Sequence, residues 1–153
     1  MDYGRPTGTD LFLCFFNSLH VARNTTMTTF SISQGIVLFA HGSRDPLWHK
    51  PIEAVAAHIA TLSSQTPVVC AYLELSTPDL ATATFTLIEA GVNSIRIVPM
   101  FLGVGRHARE DLPALVADMQ QQHPSVTFTL QTAVGEDARL VELLAQIALE
   151  STR

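Results

Sequence analysis

Ser94-Ile-Arg-Ile-Val-Pro-Met100, then Phe101-Leu-Gly-Val-Gly-Arg-His-Ala-Arg109, then Glu110-Asp-Leu-Pro113 decide the fold of this chain. The first run reads as a buried strand and the second as a glycine-containing loop. The third reads as the opening of a helix, beginning near Glu110-Asp111, where acidic side chains favour the positive end of the helix dipole. A strand's residues are committed to packing, whereas the loop that follows is free to do chemistry. Arg106, His107 and Arg109 stand in that loop and suit acidic or metallic ligands.

Working outward, the same strand–loop–helix unit recurs. Gly35 to Ala40 is apolar on both faces, as a central parallel strand must be. His41-Gly-Ser-Arg-Asp-Pro46 follows as a loop. Trp48 to Ser64 is expected to be helical, with Ile52, Val55, Ile59 and Leu62 on the buried side. Pro67 to Leu73 is a second strand, followed at once by Glu74. Ser76-Thr-Pro78 supplies a hydroxyl cap and a first-turn proline for a helix that Gly91 ends. After the third strand, Leu112, Leu115, Val116 and Met119 form a helical stripe that His123-Pro124 terminates. Val126 to Leu130 is the fourth strand, and Asp137 to Glu150 the last helix, with Leu140, Leu143, Leu144 and Ile147 expected to face inward.

Four such repeats imply an α/β fold, a flavodoxin-like parallel sheet with helices on both faces. Right-handed crossovers favour strand order 2-1-3-4. Ligands in such sheets bind beyond the carboxyl ends of the strands, where the winding reverses, here between strands one and three. His41, Glu74 and His107 each follow a strand, so all three belong to that edge. Neighbouring strands lie ~4.8 Å apart, which lets the first two groups share a site and the third fold back to it. Two imidazoles and a carboxylate suit a divalent transition metal, and they are also bases near neutral pH. Taken alone, His41 or His107 reads equally as a loop residue satisfying backbone groups, and Glu74 reads more readily as a solvated or helix-capping carboxylate. Arg44, Arg106 and Arg109 cluster near the same edge and point to a polyanionic ligand, against the alternative of ordinary solvation. His20, His49, His58 and His123 have no such placement and read as surface residues.

Composition narrows the function further. A length of 153 residues, 47% hydrophobic, is enough for one domain with a core, and a net charge of −5 gives no field to attract nucleic acid. Cys14 and Cys70 show no metal-type spacing, and a reduced, cytoplasmic setting is expected. Residues 1–30 read as an N-terminal extension, disordered or loosely docked, with the folded domain spanning 31–153. Leu11 to Phe16 is too short for a signal-peptide core, and Met27 stands just before the organised sequence begins.

The fragments His41 to Pro46, Ala71-Tyr-Leu-Glu-Leu75 and Val98 to Pro113 together resemble the short sirohydrochlorin chelatase family, over roughly Gly35 to the C-terminus. The resemblance implies an enzyme that inserts cobalt or ferrous iron into sirohydrochlorin, for cobalamin or sirohaem synthesis, with the metal as substrate and no tightly bound cofactor. It implies His41 and His107 as metal-binding and catalytic histidines, Glu74 as the accompanying carboxylate, and a homodimer. Residues 1–26 have no counterpart in that family. On this reading Ser43, Arg44, Arg106 and Arg109 serve the anionic substrate. Met100, Phe101 and Leu102 either pack on the macrocycle face or close the core.

Rival functions have weaker footing. Gly103-Val-Gly-Arg-His-Ala108 fits a dinucleotide fingerprint but follows the third strand, with no acidic residue where a ribose would need one. Ala40-His-Gly42 resembles the opening of histidine phosphatases without their arginine. A response-regulator module needs an aspartate where this chain has Pro99-Met100. A metal or tetrapyrrole carrier without turnover would use the same residues as a chelatase.

Overall fold

The computed structural model describes residues 34–150, apart from the side chains of residues 106–108. The expected extension over residues 1–30 lies outside the described residues. Four strands, β1 (Gln34–Ala40), β2 (Val68–Tyr72), β3 (Ser94–Pro99) and β4 (Thr127–Leu130), form one parallel sheet in the order β2-β1-β3-β4. Four helices alternate with them: α1 (Lys50–Leu62), α2 (Leu80–Glu89), α3 (Arg106–Gln122) and α4 (Ala138–Leu149). Short 3-10 turns at Pro46–His49 and Val134–Glu136 precede α1 and α4. The flavodoxin-like order read from the sequence is the order observed.

β1 is the spine. Its period-two alternation sends Val37 and Phe39 to one face and Leu38 and Ala40 to the other, all buried. The first face is closed by Leu80, Ala83 and Leu87 of α2 and by Leu112 and Met119 of α3, the second by Ile52 of α1. Burying one such large side chain stabilises the fold by ~1.5–3 kcal/mol, so truncation at Phe39 strikes the centre of the larger cluster. Gly91, at φ +86, takes the left-handed residue after α2. There Gly91 N–H donates to the Ile88 carbonyl and Val92 N–H to that of Leu87, a Schellman ending.

Several local expectations give way to tertiary ones. α1 buries Ile52 and half-buries Ala56 and Ile59, whereas Val55 and Leu62 are exposed. The face that meets the sheet is therefore rotated from the one the apolar spacing marked. α2 is capped not by Ser76 or Thr77 but by Asp79, whose carboxylate accepts the Thr82 N–H at 2.8 Å. The Ser76 hydroxyl instead donates to the Ser43 carbonyl at 2.8 Å. α3 starts at Arg106, a full turn before Glu110, with Gly105 as N-cap, so Pro113 lies inside the helix. An acidic pair in a first turn and one in a helix interior look alike in sequence; Glu110-Asp111 was the misleading signal. Leu115 of α3 is exposed.

α4 buries none of its residues. Leu143, Leu144 and Ile147, expected to face inward, are exposed, and Leu140 is only half-buried. An apolar helical period specifies a face that needs cover, not which surface supplies it.

Candidate functional site

The loops after β1 and β2 run side by side past the end of the sheet. Leu73 N–H donates to the Ala40 carbonyl at 2.8 Å and Glu74 N–H to the His41 carbonyl at 3.0 Å, extending the β1–β2 ladder by two bonds. His41 and Glu74 therefore sit at adjacent tips, and both are exposed. Gly42 between them adopts φ +90, and a Cβ there would collide with the Glu74 carbonyl oxygen. Only glycine lets the two loops approach so closely.

The His41 ring lies against Phe101, with centroids 4.5 Å apart. Phe101 is 2% exposed and packs edge-on to Phe39 at 5.8 Å. Of the two roles left open for it, the structure gives Phe101 to the core, from which it supports the His41 imidazole. Leu102, beside it, is 68% exposed, and Met100 is half-buried against the α1 side of the sheet.

The Arg106, His107 and Arg109 backbone belongs to the first turn of α3 rather than to a loop. The Arg109 guanidinium donates to the Val104 carbonyl at 2.8 Å. Arg109, Phe101, Val104, Leu112 and Glu136 line a cleft of about 280 Å³ at the carboxyl ends of β3 and β4. Arg44 is exposed on the loop after β1. Ser43 is bound into that loop: its hydroxyl accepts the Asp45 N–H at 3.1 Å. Among the described residues no three His, Cys, Asp or Glu side chains gather closely enough to hold a metal ion. His41 and Glu74 are the two members of the expected trio whose side chains are described.

Two kinds of residue escaped the sequence reading. Leu47, Trp48, Leu73 and Leu75 are exposed around the same loops, and the doublet flanking Glu74 was their visible signal. His49, read as a surface residue, instead stacks on Tyr72 with centroids 4.6 Å apart and hydrogen-bonds Ser76. Beneath it, burial and then the charges of Cys70 and Glu53 push the Tyr72 hydroxyl up to about 12.

The CbiX family pattern matches residues 35–151, which takes in β1 from its second residue, β2 to β4, α1 to α4, and His41, Glu74 and His107. The chain is a member of the CbiX family. A CbiX protein from Marinobacter aquaeolei, assigned to cobalamin biosynthesis, superposes with a TM-score of 0.65 at 32% identity, over 75% of this chain and 93% of that one. A sirohydrochlorin cobaltochelatase of Methanopyrus kandleri is 32% identical over 81 residues, 53% of this chain and 57% of the relative. The chloroplastic sirohydrochlorin ferrochelatase of Arabidopsis thaliana is 24% identical over 112 residues, 73% of this chain and 50% of the relative. The chain thus spans about half the length of these two relatives and nearly all of the Marinobacter protein. Among the described residues no helix is long and apolar enough to cross a membrane.

Proposed function

We propose that this chain is a sirohydrochlorin chelatase, inserting Co2+ or Fe2+ into sirohydrochlorin with release of two protons. One observation carries the reading: the pairing of His41 and Glu74 at adjacent loop tips, within a chain of the CbiX family. Relatives of the chain are named as cobaltochelatase and ferrochelatase of this same substrate, so either metal fits the reading.

The chemistry asks for three things. The ion must be held by few protein ligands, so that it can leave; His41 and His107 fill that role. The macrocycle must give up two pyrrole protons, each leaving its electron pair on nitrogen to bind the metal. The Glu74 carboxylate and a neutral imidazole take those protons and pass them to water. Charge balances, since two protons depart as one dication arrives. The anionic periphery of the ring must also be met, and Arg44, Arg106 and Arg109 supply cations near the edge, with Ser43, Met100 and Leu102 alongside. Phe101 contributes from behind His41.

A homodimer is part of this proposal, supported by the apolar face that α4 leaves uncovered. A cytoplasmic setting is part of it as well, supported by the free thiol of Cys70.

The test is to mix the purified chain with sirohydrochlorin and Co2+, or Fe2+ without oxygen, and follow the absorbance spectrum. Many turnovers per chain are expected. His41→Ala and His107→Ala should each lose roughly 10²-fold in rate while keeping the circular dichroism spectrum. A spectral change that stops at one equivalent would mean binding without turnover and would overturn the reading.

A further inference from the structure

The two loops are fastened a second time, by side chains. The Ser76 hydroxyl lies 2.8 Å from the Ser43 carbonyl, 2.9 Å from the Ser43 amide nitrogen and 2.9 Å from His49 Nε2. A hydroxyl has one proton to donate and two lone pairs with which to accept. The Ser43 carbonyl can only accept, so the proton goes there. The lone pairs then receive the Ser43 N–H and, by elimination, a proton on His49 Nε2. His49 is the donor in this contact.

Position makes the contact consequential. Ser43 stands two residues beyond His41, and Ser76 two residues beyond Glu74. His49 comes from the turn that leads into α1, and its ring packs, tilted by 32°, against Tyr72, the last residue of β2 and itself buried. Between Glu74 and Ser76, Leu75 adopts φ 60, a left-handed conformation that is unfavourable for a leucine. An exposed leucine does not hold that conformation by itself. Leu75 stands between two anchored neighbours, Glu74, whose N–H bonds the His41 carbonyl, and Ser76, tied to Ser43 and His49.

We propose that His49 is a positioning residue for metal insertion. Its Nε2–H, acting through the Ser76 hydroxyl, holds the His41 and Glu74 loops at a fixed separation. This rests on the chelatase reading above. Displacing a reacting group by 1 Å can cost ~10²-fold in rate, so a clamp one layer behind the reacting groups governs turnover without touching substrate.

The experiment compares kcat and KM for sirohydrochlorin in His49→Phe, His49→Gln, Ser76→Ala and the His49→Phe/Ser76→Ala double variant. His58→Ala, exposed on α1, is the control. Phenylalanine keeps the stack on Tyr72 and deletes the donor; glutamine restores an N–H donor. His49→Phe and Ser76→Ala should each lower kcat about tenfold with KM nearly unchanged, and the double variant should fall no further. His49→Gln should recover most of the loss. Wild-type kcat in a folded His49→Phe, or equal damage in His49→Gln and His49→Phe beside an intact Ser76→Ala, overturns the assignment while the chelatase reading stands. If His49→Phe does not fold, Ser76→Ala decides alone, and wild-type kcat there overturns it. An inactive wild-type chain overturns both.

Discussion

The main-chain carbonyl of His41 accepts the amide hydrogen of Glu74 at 3.0 Å, so an imidazole and a carboxylate separated by 33 positions are locked at neighbouring loop tips. The bond continues the β1–β2 ladder beyond the last residue of either strand, and the stability of the sheet therefore extends into the site. Loop residues placed this way inherit the rigidity of the elements they leave.

The glycine between them is the weak point. Gly42→Ala would put a methyl group into the Glu74 carbonyl at a φ of +90. We expect a loss of about 3 kcal/mol in stability, read as a lower denaturant midpoint with unchanged slope. Chelation should fall further than unfolding alone explains, because relief of the clash separates the two tips.

Thr84, on the buried side of α2, is 1% exposed, and among the described residues its hydroxyl has no hydrogen-bond partner. An unsatisfied buried hydroxyl costs ~1–3 kcal/mol, and valine has nearly the same shape without it. Thr84→Val is expected to raise the thermal midpoint, by a stabilisation of about 1 kcal/mol. A lowered midpoint would mean that the hydroxyl is satisfied in solution.

Burial, and then the negative charge of Glu53, push the Cys70 thiol from 9.0 up to about 11. The folded state holds that proton more tightly than the unfolded one. Its contribution to stability is complete below pH 9 and is lost as the pH rises through about 11. In a Cys14→Ser background, iodoacetamide at pH 8.5 should modify Cys70 slowly in the native protein and rapidly in denaturant. Equal rates would contradict the burial.

At the start of α4, hydrogen bonds from the Arg139 guanidinium, at 2.6 and 3.0 Å, and then from the Arg139 N–H hold the Asp137 carboxyl at about 2 instead of 3.8. A depressed carboxyl stabilises the fold above its unfolded value, and the effect disappears as pH falls from about 4 to about 2. Protection factors of the amides in the first turn of α4 should fall over that range, and Asp137→Ala should show the lower protection already at neutral pH.

The Thr84 and Asp137 features sit in elements that periodicity had already placed, whereas His49 was read as an isolated surface imidazole. What His49 does depends on a serine 27 positions away and a tyrosine on β2, and no local pattern encodes either. The start of α3 was misread for a similar reason. Glu110 and Asp111 make a sound first turn locally, yet Gly105 caps the helix one turn earlier. Ser76 also looked like a cap until the Ser43 loop claimed its hydroxyl.

Among the described residues, four strands, four helices, the parallel sheet and the β2-β1-β3-β4 order were all legible in the amino-acid sequence. Those follow from side-chain period and from the handedness of short crossovers, both properties of the local chain. Only the folded chain shows that Phe101 backs His41, that Ser76 bonds both Ser43 and His49, and that no described element covers the apolar face of α4. Each of these depends on which distant surface arrives opposite a side chain, and that is set only when the whole sheet has closed.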